Sequence, residues 1–588
     1  MPRSRAFLIW LALGLSWCVG ILGRGYWTPD EPREADIAWR MSWQPAKSVP
    51  LLAGEPFCEK PPLTYWAAGA AIGVFGNDAW AARLPNVLYA LVTTLAVGLI
   101  ARRSAGPLAG LAAAAAVSTF LLSYQAAIWL ATDAPLLAAV AVALWGLYSG
   151  FYALNSGERL RGYSCMHAAL AVGFLAKSAA AWMVPVLTLI TLVVWEKRWR
   201  ELWRWELYLG LVLQAVLILS WVWVVYAGPD GPAHLKVFFW NNLVGRFAHV
   251  DAPAELQYAA AHRNTPGKYL LELPAYLFPW TLLVLAAVRG AFRRRREPAD
   301  RQNLVRFSAA VFVPTLCVLS IAATARNIYL APALPGAALL LGWWAADLET
   351  AHDRWDLRAV RATSLLLLLA VAAFTAAILV LGRDSWGGLP ARAAYAALSL
   401  SGLIIAAAGS ISSWRAAGRG RLVRALYALL LAYCALLAGP ASQIYRSVDT
   451  WQDLASIGRA VRHDAVGRPM ILFAPDETTR AFVDLYTATA VDLIPGPITP
   501  MSAGLLRLHL AGDPRSVVLT QLPGRNESRT VREIKDWLGL KPPTTPRLDP
   551  DPAPDWASDV RLRIAHRYAL PNGRRYALLE ADSAAASR

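Results

Sequence analysis

Residues 30–66 read DEPREADIAWRMSWQPAKSVPLLAGEPFCEKPPLTYW. The stretch carries Asp30, Glu31, Arg33, Glu34, Asp36, Arg40, Glu55, Glu59 and Lys60, yet apolar runs stand on both sides of it, at about 6–23 and about 83–101. Runs near ~20 apolar residues are long enough to cross a bilayer. More such runs follow, and charged residues make up only 16% of the 588 residues, against roughly 25% in a soluble domain. An ion-rich loop with such flanks reads as the first water-facing loop of a polytopic α-helical membrane protein. Most ions in such a loop are solvated surface. The segments D-E-P-R at 30–33 and E-K-P-P-L at 59–63 are the exceptions that bear on function.

The formal net charge of +17 does not point to nucleic acid. Basic residues gather in short loops between apolar runs, with RR at 102–103, KRWRELWR at 197–204 and RRRR at 293–296. That is the positive-inside pattern, and the same loops suit anionic membrane lipids. Cys18, Cys165, Cys317 and Cys434 lie in apolar runs and Cys58 alone lies in a loop, so no disulfide framework or thiolate metal cluster is expected. The N-terminus has the basic start and apolar core of a signal peptide but no small-x-small cleavage site, and reads as an uncleaved first helix.

Threading the chain with its basic loops inside gives about thirteen spans, at 6–23, 83–101, 107–124, 132–152, 164–179, 181–195, 206–227, 269–290, 303–322, 328–347, 362–382, 392–413 and 423–440. The N-terminus is then cytoplasmic. Loops 24–82 and 228–268 fall on the outer side of the membrane, the first with one or two amphipathic helices. After residue 440 the composition changes. WQDLASIGRAVRHDA has a helical period, and PMILFAP, RSVVLTQ and RRYALLEA read as strands. Residues 1–440 are therefore expected to form the membrane domain and 441–588 a small periplasmic α/β domain.

This topology sends Arg83, Asp133, Lys177, Arg246 and Arg326 to the outer face, together with Asp30, Arg33, Glu59 and Lys60. Ionisable residues within spans are costly and mark function by default. Each alone has a plainer reading: snorkelling for Lys177 and Arg83, an N-cap for Asp133, and a helix-ending role for Pro61 and Pro62. Their convergence favours a site at the outer membrane boundary. No carboxylate or histidine marks a convincing proton path through the spans, and GxxxxGK[ST] is absent, which argues against a secondary transporter and an ATP-driven pump. Arg and Lys can hold a phosphate and stabilise its charge as it leaves. A carboxylate can orient an acceptor, bind an amino group or take a proton. With no nucleotide outside the cytoplasm, an activated sugar would arrive there on a lipid phosphate.

At these residues the chain resembles the aminoarabinose transferase family of GT-C glycosyltransferases, relatives of protein O-mannosyltransferases. D-E-P-R at 30–33 is similar to that family's DE-x-R, and G-E-P-F-C-E-K-P-P-L-T-Y-W at 54–66 to its G-x-P-Y-F-E-K-P-P-L-x-Y-W. A-R-L-P at 82–85, T-D-A-P-L at 132–136, F-L-A-K at 174–177, F-F-W-N-N-L-V-G-R-F at 238–247, H-R-N-T-P-G-K-Y-L-L-E-L-P at 262–274 and A-R-N-I-Y-L-A-P-A-L-P at 325–335 continue the likeness in order. Asn241 and Asn242 stand where a more acidic or His-containing pair is expected.

The resemblance implies a polyprenyl-phosphate sugar donor, an inverting displacement at the anomeric carbon and a lipid acceptor. The leading case is 4-amino-4-deoxy-L-arabinose transferred to lipid A. Transfer of mannose, a uronic acid or another sugar to a lipid, glycan or protein is the runner-up, and a polyprenyl-phosphate lipid flippase is the alternative of another class. The resemblance makes Asp30 the leading catalytic carboxylate, with Glu59 binding the sugar or its amino group. Arg33, Lys60 and Arg246 would hold the departing phosphate. Arg83, Asp133, Lys177, Arg326, Tyr329 and Trp66 would line the donor or acceptor pocket. No cofactor is assigned. A divalent metal is a candidate, with Glu59, His249 and His262 as its ligands, although no recognised ligand spacing joins them.

Overall fold

The protein is described here from a computed structural model, over residues 3–44, 47–246, 250, 267–295, 299–322, 326–349, 351–381, 389–487, 491–522, 554–570 and 572–582. The apolar runs form helices, because in hydrocarbon a chain must satisfy its backbone polar groups internally. In chain order come α1 (Arg3–Ile21), α2 (Asp30–Trp43), the short strands β1 (Leu51–Leu52) and β2 (Glu55–Pro56), α3 (Leu63–Phe75), α4 (Ala79–Thr119), α5 (Leu121–Ile128), α6 (Asp133–Phe151), α7 (Ser156–Lys177), α8 (Ala180–Trp195) and α9 (Trp205–Tyr226). Then follow α10 (Gly231–Leu235), α11 (Lys268–Tyr276), α12 (Thr281–Arg293), α13 (Ala299–Ile321), α14 (Leu334–Asp347), α15 (Arg354–Leu381), α16 (Leu389–Gly418), α17 (Leu422–Leu436) and α18 (Ser442–Asp449). Among the described residues, eight helices are long and apolar enough to cross a membrane, or up to nine if the bent pair α11–α12 is one span. Residues 6–21 of α1, together with α3 and α8, are shorter apolar helices. The chain is a multi-pass membrane protein.

The chain divides into two compact units. The first comprises Met1–Gly23, Met41–Pro50 and Pro56–Tyr445; the second comprises Arg24–Arg40, Leu51–Glu55 and Arg446–Arg588. The sequence reading put the division at 440/441 and assigned all of 24–82 to the membrane part. Pairings across several hundred residues leave no local trace in a sequence.

In the first unit, the expected spans 83–101 and 107–124 merge into α4, broken only at Ala105 and Gly106. Gly106 has φ +87°, a conformation that glycine adopts without strain, and Pro107 starts the second half. The expected span 269–290 is two helices, α11 and α12, bent by 109°. Pro279 in the connection removes a backbone donor where the two helices meet. The first loop holds α2 as expected, but α3 is apolar along its length rather than amphipathic.

Helix α6 is the centre of the bundle, with 83% of its apolar window buried. It packs against α7 through small residues, the usual way for helices to approach closely in a membrane. A Cβ on Gly162 would lie 2.4 Å from the backbone nitrogen of Gly150, and one on Gly146 would lie 2.5 Å from that of Met166. Both obstacles are backbone, so the helices would have to separate. Gly162→Ala is expected to destabilise the protein by about 1–3 kcal/mol, the cost of overpacking, measured by thermal unfolding in detergent.

In the second unit, α19 (Leu454–Asp464), β3 (Met470–Phe473), α20 (Glu477–Thr487), β4 (Val491–Ile494), α21 (Pro500–Gly512), β5 (Val517–Leu522), α22 (Asp555–Asp559), β6 (Leu562–Ala569) and β7 (Arg575–Ala581) build a sheet of order β4-β3-β5-β7-β6. Its first three strands are parallel, and β7 runs antiparallel to β5 and β6. Alternate side chains along a strand face opposite ways. Met470, Leu472, Val517 and Leu519 pack under α19 and α20, while Ile471, Phe473 and Val518 pack with Leu506 of α21 and Ala557 of α22. With both faces covered, the strands read as apolar runs. The three strands read from the sequence are β3, β5 and β7.

Candidate active site

The EKPP loop of the first unit is held from several sides. Pro62 caps α3, so Pro61 and Pro62 lead into a helix rather than end one. The side-chain nitrogen of Asn242 donates to the carbonyl of Glu59. This accounts for an asparagine at that position: a carboxamide donor serves a backbone acceptor there. The Trp66 indole donates to the carbonyl of Lys47 at 2.7 Å, and the Trp221 indole to that of Ser48 at 3.1 Å. Cys58 is buried among Phe174, Trp221 and Phe238, and burial pushes its thiol up to about 12, so it is an inert packing residue. Glu59 and Lys60 remain half-exposed beside this anchored aromatic cluster.

A second group forms where α6 begins and α7 ends. The Lys177 ammonium lies 2.5 Å from the Asp133 carboxylate, with side-chain exposures of 17% and 9%, and 4.9 Å from the centre of the Tyr329 ring. Lys177 is therefore paired inward rather than reaching along the bundle surface. Thr132, not Asp133, holds the N-cap position of α6, and no side-chain cap bond forms there; Asp133 instead spends its charge on Lys177. Tyr329 sits in a 3-10 turn, Asn327–Ala333, whose entry is fixed by Tyr269 donating to the carbonyl of Arg326 at 2.7 Å. Arg83, in the first turns of α4, is fully buried, a situation a guanidinium tolerates only when paired. The backbone of Arg246 closes a 3-10 turn, Val244–Arg246. The Arg246 side chain, His249 and His262 lie outside the described residues. Among the described residues, no three His, Cys, Asp or Glu side chains cluster to hold a metal.

Asp30 and Arg33 belong to the second unit, on the first turn of α2. Arg33 does not present a bare cation. One terminal nitrogen lies 2.5 Å from Glu477, and the other lies 3.2 Å from both Asp30 and Glu34. Burial would lower its pKa, but Glu34, Glu477 and Asp30 together hold it well above the usual arginine value. With three carboxylates around one guanidinium, Arg33 is well placed to hold Asp30. Two turns further along α2, Arg40 reaches Asp484 at 2.6 Å and 2.9 Å. The buried Asp36 accepts from the Ala53 N–H at 2.6 Å.

Burial, and then the hydrogen bond and charge of Asp484, raise Asp36 well above the usual carboxylate range, against the pull of Ala53 and Arg40. A raised folded value means the folded state prefers the proton. That stabilisation is complete below the unfolded value of about 3.9 and is lost as pH rises through the raised one. Asp36→Asn keeps a neutral side chain at every pH. It is expected to flatten this part of the pH dependence, read as the difference in thermal midpoint between the two proteins from pH 5 to pH 8.

Residues 59–223 match the family model described as dolichyl-phosphate-mannose-protein mannosyltransferase. The chain is 30% identical over 376 residues to the undecaprenyl phosphate-alpha-4-amino-4-deoxy-L-arabinose arabinosyl transferase of Pseudomonas paraeruginosa (strain DSM 24068 / PA7), covering 63% of this chain and 65% of that one. It is 29% identical over 341 residues to the protein of the same name from Pseudomonas aeruginosa (strain LESB58), covering 58% and 59%. The chain thus spans 65% and 59% of the length of these curated relatives. Among solved structures, it superposes on ArnT from Cupriavidus metallidurans in the apo state with a TM-score of 0.68 at 18% identity, and on ArnT bound to undecaprenyl phosphate with 0.69 at 17%, covering 98% of both chains in each case. The chain is similar in sequence to undecaprenyl-phosphate aminoarabinose arabinosyltransferases and shares the fold of ArnT, the GT-C fold that its motifs imply.

Proposed function

We propose that this protein is an inverting glycosyltransferase that moves 4-amino-4-deoxy-L-arabinose from undecaprenyl phosphate to lipid A at the periplasmic face of the inner membrane. The observation that carries the reading is the homology itself, which runs through the EKPP loop and the Asp133–Lys177 pair. In this reaction an acceptor oxygen attacks the anomeric carbon, the bond from that carbon to the donor phosphate breaks, and undecaprenyl phosphate leaves with the electron pair. A phosphate acceptor is already ionised, so no base need remove a proton. The work left to the protein is positioning and the stabilisation of charge on the leaving phosphate.

Lys60 is assigned to that phosphate, with Arg246 as its partner cation. Asp30 orients the reacting groups and Arg33 holds Asp30. Glu59 binds the sugar amine. Asp133, Lys177 and Tyr329, with Arg83, Arg326 and Trp66, shape the donor and acceptor pocket. The basic loops, read as cytoplasmic, support an outer position for this chemistry. The match to a mannosyltransferase family model keeps mannose as the second donor to test. Mass spectrometry of lipid A from cells with and without the gene checks the proposal. A mass increment of one aminopentose that depends on the gene supports it, and lipid A identical in the two strains contradicts the acceptor assignment.

A further inference from the structure

We infer that helix α20 of the C-terminal domain is part of the catalytic apparatus, with Glu477 the positioning residue that sets Arg33 and through it Asp30. The inference rests on the proposed transferase reading for its kinetic consequence, but not for its geometry. Helices α2 and α20 meet along a matched ladder. Arg33 pairs with Glu477 and Arg40 with Asp484, and both pairs are separated by 444 residues. The two arginines are seven residues apart, as are the two acids, so each helix presents its charges about two turns apart on one face. Two further contacts lock the same surface. Thr478 donates to the carbonyl of Pro29 at 2.9 Å, directly before Asp30, and Arg480 donates to the carbonyl of Leu52 at 3.4 Å.

The charge pattern gives the ladder its purpose. Asp30, Arg33 and Glu34 share one helical turn, so Arg33 could satisfy itself locally on its two neighbours. Glu477 takes one terminal nitrogen and leaves the other to Asp30 and Glu34. The planar guanidinium is thereby fixed, because its donors stand in a rigid fork. Asp30, 28% exposed, is held by an arginine that is itself held by Glu477 of α20, within the same unit. The Glu477 side chain is 43% exposed and Arg33, 12% exposed, keeps Asp30 and Glu34, so Glu477→Gln strands no buried charge. A large loss of turnover on removing it would therefore report orientation rather than unfolding.

The test uses the full-length protein in lipid nanodiscs, with undecaprenyl-phosphate aminoarabinose as donor and lipid A as acceptor. Glu477→Gln is expected to lower kcat about 10–100-fold while donor KM stays within about twofold, since the loss is one of positioning. Glu477→Asp should recover part of the rate. Combining Glu477→Gln with Arg33→Lys should cost little beyond Arg33→Lys alone, because the two act through one pair. Hydrogen exchange over residues 30–43, which needs no substrate, should quicken in Glu477→Gln. A wild type that turns over the donor beside an equally active Glu477→Gln overturns this inference and leaves the transferase reading intact. A wild type inactive on this donor, with faster exchange in the variant, overturns the transferase reading and upholds the ladder. Unchanged exchange in the variant overturns the ladder.

Discussion

Replacing Asp30 by Asn is expected to lower turnover by about 10²–10⁴-fold, the range for a positioned catalytic carboxylate, while donor affinity stays within about threefold. Asn has the shape of Asp but not its charge. Arg33 keeps Glu34 and Glu477 as partners after the change, so α2 should remain folded. The donor phosphate is assigned to Lys60, on a loop anchored by Asn242 and Trp66, which the substitution does not touch. A fall in kcat with donor binding preserved is the signature of an interaction made only in the transition state. A polyprenyl-phosphate flippase would show no such loss, because it breaks no glycosidic bond. Single-turnover release of undecaprenyl phosphate, with donor binding measured separately, distinguishes the two.

The second large effect is expected at Asp133. Its pair with Lys177 is mostly withdrawn from solvent, and removing one member of such a pair strands the other charge. Asp133→Ala should therefore destabilise the membrane unit by about 3 kcal/mol, the lower end of the ~3–5 kcal/mol typical of fully buried pairs. Replacing both residues by apolar ones of similar volume, as in Asp133→Leu with Lys177→Met, should recover most of that stability, because no charge is then stranded. The double variant should still lack activity, since Lys177 also faces the Tyr329 ring in the pocket assigned to substrate. Equal unfolding midpoints for wild type and Asp133→Ala would show that the pair contributes only as a surface contact does.

How much was legible beforehand depended on whether a feature was local. The spans came from run length, and β3, β5 and β7 came from apolar stretches between Gly and Pro. The ordered motifs named the correct relatives. The strand VDLI was not legible because two of its four residues are exposed, which leaves too little apolar pattern. The bend between α11 and α12 was legible in principle at Pro279 but was hidden inside an otherwise unbroken apolar run. Asp133 looked like a cap because of its place before a proline; its partner Lys177 lies 44 residues away. The largest gap concerned Arg33. Its motif announced function, but a motif cannot say that a glutamate 444 residues later neutralises the cation. The pairing of Arg33 with both Glu477 and Asp30 required the fold.

The central claim is that this chain breaks a bond between a sugar and a polyprenyl phosphate. The most direct measurement incubates the purified protein in nanodiscs with undecaprenyl-phosphate aminoarabinose and lipid A, and follows undecaprenyl phosphate and glycosylated lipid A together by mass spectrometry. The account predicts that both products rise in equal amounts, only when donor and acceptor are present, and that Asp30→Asn abolishes both. Donor that stays intact with the wild-type protein, whether or not it crosses the bilayer, would contradict it.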